Sequence, residues 1–272
     1  MEQTQALPPT ISTDELSAIL DKPTTKVLDC SVQFGRQAGD CSRLGFLKSH
    51  IKGAQYLDLE GLRDQSTELP FMMPKEAQFI NHMKALGIRM TDRVVCYDSG
   101  GMQFWGYRAL WMLQAMGHPQ VQVLDGGFQK WTTEGKAVES TDAHAKEEDF
   151  GYKYDAAKGQ TLEQMQAFDG SEAARSFVLL DARAPDGFAA GHIQGAVNFP
   201  VGKLLDANKQ LKSQADRKAE FEGAGIDLSK DIACTCMAGV AAAVLYGGLK
   251  DIATGKLSMY DGSWAQFSAA KK

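Results

Sequence analysis

The same signals occur twice, in the same order, along the 272 residues of the chain. The first half reads Val27-Leu28-Asp29, His50-Ile51-Lys52-Gly53-Ala54, Leu86-Gly87-Ile88 and Val94-Val95-Cys96-Tyr97-Asp98, then Leu124-Asp125-Gly126-Gly127 and Trp131. The second reads Leu179-Leu180-Asp181, His192-Ile193-Gln194-Gly195-Ala196, Ala224-Gly225-Ile226 and Ile232-Ala233-Cys234-Thr235-Cys236, then Tyr260-Asp261-Gly262 and Trp264. Spacings agree as well: Asp98 lies 11 positions after Gly87, and Cys236 lies 11 positions after Gly225. Five landmarks in order point to duplication of one domain of about 125 residues, a usual domain size. The halves are expected at 1–139 and 159–272. The polar stretch 140–158 between them, with its acidic cluster Glu147–Asp149, reads as a linker.

Within each half, short apolar runs alternate with longer helical patterns. Lys26–Cys30, Val94–Tyr97, Gln122–Leu124, Phe177–Leu180 and Asp231–Cys234 read as buried strands. Thr13–Leu20 reads as a helix capped by Thr13, and Met102–Met116 and Val240–Leu249 as apolar helices. This alternation predicts an α/β chain of two duplicated domains, each a mostly parallel sheet with helices on both faces.

Charge narrows the function classes. Lys and Arg total 29 against 34 Asp and Glu, for a net charge of −5 with no basic run. That argues against binding to nucleic acid by phosphate neutralisation. No apolar stretch approaches the roughly 20 residues of a membrane-spanning helix, so no membrane role is expected. The first residues lack the basic-then-apolar pattern of a secretory signal, and a cytoplasmic protein is expected. Five cysteines (Cys30, Cys41, Cys96, Cys234, Cys236) fit reduced thiols better than a disulfide framework. Their spacing suits no zinc site, and neither metal nor cofactor is expected.

The chemistry concentrates in Cys236-Met237-Ala238-Gly239-Val240-Ala241. Cys236 ends a predicted strand, where open α/β sheets place reactive groups, and a helix follows. Small residues let the loop curl so that several N–H groups meet at one spot, with Gly239 free to take a positive φ. Such a nest at the positive end of a helix stabilises an anion, here the Cys236 thiolate, whose pKa is expected below the free value of about 8.5. Cys236 is therefore the candidate nucleophile.

The duplicated motifs, the six-residue loop opened by Cys236 and Gly191-His192-Ile193-Gln194-Gly195-Ala196 together resemble the tandem-rhodanese sulfurtransferases. That family includes thiosulfate sulfurtransferase and 3-mercaptopyruvate sulfurtransferase. The resemblance runs from about Ile11 to Phe267 and implies that only the C-terminal domain reacts. Asp98 stands where Cys236 stands in the repeat, and a carboxylate accepts no sulfane sulfur. The implied chemistry is a double displacement through a Cys236 persulfide. The donor is a small anionic sulfur compound. The acceptor is a thiol, such as thioredoxin or a small thiol, or cyanide. By the same resemblance Arg183 binds the anionic donor, Met237, Ala238, Gly239, Val240 and Ala241 form the loop around it, and Phe104 and Trp105 line the pocket from the inert half.

The loop departs from both family patterns. Thiosulfate-specific members usually carry cations in it (Cys-Arg-Lys-Gly-Val-Thr), which Met237 and Ala238 do not supply. Mercaptopyruvate-specific members usually read Cys-Gly-Ser-Gly-Val-Thr; this loop shares their neutrality but lacks both hydroxyls. The acid and histidine that work with that serine align with Glu60 and Phe71, and a second arginine after Arg183 is missing. The neutral loop favours mercaptopyruvate over thiosulfate as donor.

Plainer readings stand beside these. Cys30, Cys96 and Cys234 are expected as buried packing residues, and Cys41, among polar residues, as an exposed thiol without activation. His50 and His192 hold equivalent repeat positions, which favours structure over catalysis. Arg183 could instead pair with an acid such as Asp186, and Phe104 and Trp105 could be core. A cysteine phosphatase of related fold needs an arginine where Ala242 stands. A catalytically silent relay or binding module is the remaining alternative.

Overall fold

A computed structural model describes residues 7–32, 42–141, 146–148, 151–171 and 175–271. They gather in two compact units, one drawn from Met1–Arg63 and Pro74–Tyr154, the other from Asp64–Met73 and Asp155–Lys272. Cys41 and part of the acidic cluster at 147–149 lie outside the described residues.

In the first unit the chain runs β1 (Thr10–Ile11), α1 (Thr13–Ile19), β2 (Thr25–Asp29), α2 (Ser42–Lys48), β3 (His50–Ile51), β4 (Gln55–Tyr56) and α3 (Leu59–Leu62). It continues through α4 (Glu76–Ala85), β5 (Arg93–Tyr97), α5 (Phe104–Ala115), β6 (Val121–Leu124), α6 (Gly127–Thr133) and β7 (Val138–Glu139). The second unit holds β8 (Gly159–Gln160), α7 (Leu162–Gly170), β9 (Val178–Asp181), α8 (Pro185–Ala189) and β10 (Val197–Asn198). After these come α9 (Gln214–Gly223), β11 (Ile232–Thr235), α10 (Ala241–Leu249), β12 (Leu257–Tyr260) and α11 (Ser263–Ala270). The sheets run β4-β2-β5-β6-β1 and β10-β9-β11-β12-β8, parallel throughout, so each strand of one has its counterpart in the other. The first unit adds a small antiparallel pair, β3 with β7.

The central strands are buried along nearly their whole length, as expected for a parallel sheet covered on both faces. One core cluster joins Leu16, Phe46, Val95, Tyr97 and Trp131; its counterpart joins Met165, Phe168, Leu179, Tyr260 and Phe267. Helix α10 is buried from Ala242 to Leu249, and its small residues admit close neighbours: a Cβ on Gly248 would stand 2.6 Å from Leu204. Helix α1 corrects one expectation. Its N-cap is Ser12, not Thr13, because Ser12 and Glu15 close a reciprocal capping box that holds two otherwise unpaired N–H groups. Among the described residues no helix is long and apolar enough to cross a membrane.

Candidate active site

β11 is the middle strand of its sheet, with β9 on one side and β12 on the other. Its last residue, Thr235, pairs with Asp181 of β9, and Cys234 pairs with Met259 of β12. Cys236 follows at the carboxyl end of the strand and is only 3% exposed. The next residue, Met237, is 49% exposed, so the loop surfaces immediately after the sulfur.

The first turn of α11 fixes the loop. The Trp264 N–H donates to the Cys236 carbonyl at 3.0 Å, and the Ala265 N–H to the Met237 carbonyl at 3.0 Å. In a planar trans peptide the next N–H points opposite to the carbonyl, so the Met237 and Ala238 N–H groups turn away from α11. Gly239 then takes φ 75°, and Val240 is right-handed at φ −95°, ψ −58°. A left-handed residue followed by a right-handed one brings successive N–H groups to one side, the geometry of an anion nest. Val240, the N-cap of α10, has no polar side chain and makes no side-chain cap bond. The positive end of α10 favours an anion beside it.

Ser263, to which the sequence reading assigned no role, completes the setting. It is fully buried, at φ 50°, and its hydroxyl accepts the Cys236 N–H at 3.2 Å. That hydroxyl also lies 3.0 Å from the Tyr260 carbonyl and 4.0 Å from Cys236 Sγ, and can donate to either. A non-glycine residue held at positive φ is strained, and such strain collects at functional sites.

The first unit shows the same loop closed on itself. Asp98 follows β5 as Cys236 follows β11, and its buried carboxylate accepts the N–H groups of Gly100 at 2.7 Å, Trp105 at 2.8 Å and Gly106 at 3.2 Å. The Phe128 N–H donates to the Asp98 carbonyl at 3.2 Å, as Trp264 does to Cys236. The Gln103 side chain takes the Asp98 N–H at 2.8 Å, the bond that Ser263 supplies in the other unit. Burial pushes the Asp98 carboxyl up to about 6, against the pull of its three N–H donors. A carboxyl that holds its proton longer in the folded chain than in the unfolded one favours folding most at low pH. That favour is lost as the pH rises through about 6. We expect Asp98→Asn, which cannot ionise, to remove the loss. Between about pH 4 and pH 7 the native first unit should lose about 3 kcal/mol of stability relative to the variant. Urea unfolding followed through Trp105, Trp111 and Trp131 checks this, and equal pH slopes for the two proteins would refute it.

Arg183 is braced by the chain around it. Its Nε and one terminal nitrogen grip Asp181 at 2.7–3.1 Å, and its other bonds go to the carbonyls of Gly187 at 2.9 Å and Gly191 at 2.8 Å. The guanidinium carbon lies 5.3 Å from the Trp264 ring centroid. Of five donors, one N–H is left over. The partner is Asp181, not Asp186.

The remaining candidates fall as follows. His50 and His192 do matching jobs: each Nδ1 meets the carbonyl four residues earlier, at 2.7 and 3.0 Å, and each ring stacks on Phe46 or Phe188. Cys30, Cys96 and Cys234 are fully buried, and burial pushes the thiols of Cys30 and Cys234 up. Phe104 and Trp105 open α5, with Trp105 buried and Phe104 half-buried. Glu60 is exposed, and Phe71, aligned with the family histidine, is buried and carries no proton. Among the described residues no three His, Cys, Asp or Glu side chains converge as metal ligands would.

Comparison with known proteins agrees with this architecture. Residues 12–134 and 161–270 each match the rhodanese-like domain. The chain is 34% identical over 241 residues to thiosulfate sulfurtransferase of Gallus gallus, covering 83% of this chain and 81% of that protein. It is 29% identical over 268 residues to 3-mercaptopyruvate sulfurtransferase of Escherichia coli K12, covering 95% and 94%. The crystal structure of SseA from Escherichia coli, a 3-mercaptopyruvate sulfotransferase by its description, superposes with a TM-score of 0.85 at 28% identity, over 95% of this chain and 99% of that one. The chain belongs to the rhodanese-like family, with two copies of the domain. Within that family its class is sulfurtransferase.

Proposed function

We propose that Cys236 accepts a sulfur atom from 3-mercaptopyruvate and passes it, as a persulfide, to a thiol or to cyanide. The observation that carries this reading is the Cys236 loop itself. The carbonyls of Cys236 and Met237 are tied to α11, which turns the N–H groups of Met237 and Ala238 the other way, and α10 follows with no side-chain cap from Val240. In the first step the Cys236 thiolate attacks the donor sulfur, the carbon–sulfur bond breaks, and the donor's thiol proton ends on carbon to give pyruvate. The persulfide then gives its outer sulfur to the acceptor, and the thiolate returns. Loop N–H groups that favour the thiolate also favour the persulfide anion and the donor carboxylate.

Thiosulfate is the second reading, by the same persulfide, and the sequence relation to thiosulfate sulfurtransferase of Gallus gallus supports it. Against it, no side chain of residues 237–241 carries a positive charge to meet a dianion. Buried reduced thiols and a thiol acceptor fit a cytoplasmic setting. Incubating the protein with each donor and weighing it is the test: mercaptopyruvate should add about 32 Da, one sulfur atom, on Cys236. Faster turnover on thiosulfate would reverse the order of donors, and no adduct from either would favour the silent module.

A further inference from the structure

Residues 64–73 pack with the second compact unit although the chain before and after them belongs to the first. The segment closes on itself. The Asp64 N–H donates to the Met72 carbonyl at 3.0 Å, and Asp64 Oδ1 accepts the Ser66 N–H at 2.9 Å and its hydroxyl at 2.7 Å. Compact loops with joined ends are frequently functional. Phe71 is 5% exposed and sits at φ 56°, a conformation that a side chain bearing a β-carbon keeps only where its surroundings impose it.

Two residues on, the Met73 N–H donates to Asp261 Oδ2 at 2.5 Å. Asp261 opens the turn Asp261–Gly262–Ser263 between β12 and α11. Ser263 holds the Cys236 N–H, and the next two N–H groups of α11 hold the carbonyls of Cys236 and Met237. Direct contacts therefore run from Met73 through Asp261 and its turn to the cysteine loop, with a strained residue at each end.

We propose that Asp261 is a positioning residue, whose carboxylate ties segment 64–73 to the turn that shapes the Cys236 loop, so that the seating of this segment sets the reactivity of the cysteine. The proposal rests on the sulfur-accepting role given to Cys236 above. Asp261 acts through the turn.

The test compares Asp261→Ala with Asp261→Asn, since asparagine keeps an acceptor oxygen for the Met73 N–H while losing the charge. Two rates are read: sulfur uptake by Cys236 from mercaptopyruvate, and alkylation of Cys236 by iodoacetamide. Asp261→Ala should slow both about tenfold with the donor KM unchanged, and Asp261→Asn should restore them to within about twofold. Equal losses in both variants would mean that Asp261 acts by its charge, and no loss in either would mean that it does not act on the loop. Both results overturn the proposal. If Asp261→Ala fails to fold, Phe71→Ala, which removes the buried anchor of the segment, is read instead. It should show the same loss, and an unchanged rate overturns the proposal. A native chain that takes up no sulfur refutes the role of Cys236, whereas the alkylation rates still judge Asp261.

Discussion

Cys236→Ser is expected to lower sulfur transfer by about 10⁴-fold or more, because the step that fails is formation of the covalent intermediate. Serine fills nearly the same volume, and the backbone bonds that hold the loop do not involve the sulfur. Urea unfolding should therefore shift by less than about 1 kcal/mol. Mass spectrometry after exposure to mercaptopyruvate should show no added sulfur anywhere on the variant. The other described cysteines offer no substitute. Cys30, Cys96 and Cys234 are completely enclosed, and the raised thiols of Cys30 and Cys234 disfavour the nucleophilic form. A variant that still carried sulfur on another cysteine would remove Cys236 from its assigned role.

Much of the fold was legible because the repeat preserves residues the backbone demands. Gly53 and Gly195 both stand at positive φ, 76° and 88°, and so do Gly87 and Gly225, at 57° and 73°. A glycine at such a turn marks its place in both halves, whatever the surrounding side chains have become. The central strands were legible too, since burial on both faces writes them as unbroken apolar runs. The edge strands were not: β1, β4, β8 and β10 have two residues each, too short for any period to register. In α1 either Ser12 or Thr13 could have capped, and Glu15 three residues after Ser12 was the sign that decides between them. At the site the strand–loop–helix setting of Cys236 was legible. Ser263 was not, because its partner is 27 residues away in the chain. Nothing in residues 64–73 by themselves points to Asp261, for the same reason of sequence distance.

Replacement of Arg183 should give the largest loss of stability. The side chain is 8% exposed and its partner Asp181 only 2%, so Arg183→Met strips the fork from a buried carboxylate that keeps just the Arg183 backbone N–H at 3.0 Å. Breaking one side of such a pair costs about 3–5 kcal/mol. Removing both charges avoids the orphaned ion, so Asp181→Leu combined with Arg183→Met should recover most of the loss, and a double-mutant cycle in urea measures the coupling. Arg183→Lys separates the strut from the donor ligand that the family resemblance implies. A lysine keeps the charge but cannot reproduce the fork on Asp181 together with the bonds to Gly187 and Gly191. If Arg183 is a strut, the lysine variant loses stability while the donor KM of its folded fraction stays near native. If it clamps the donor, KM rises with little change in unfolding. The closed geometry favours the first outcome, because a guanidinium with one N–H to spare has little to offer an anion.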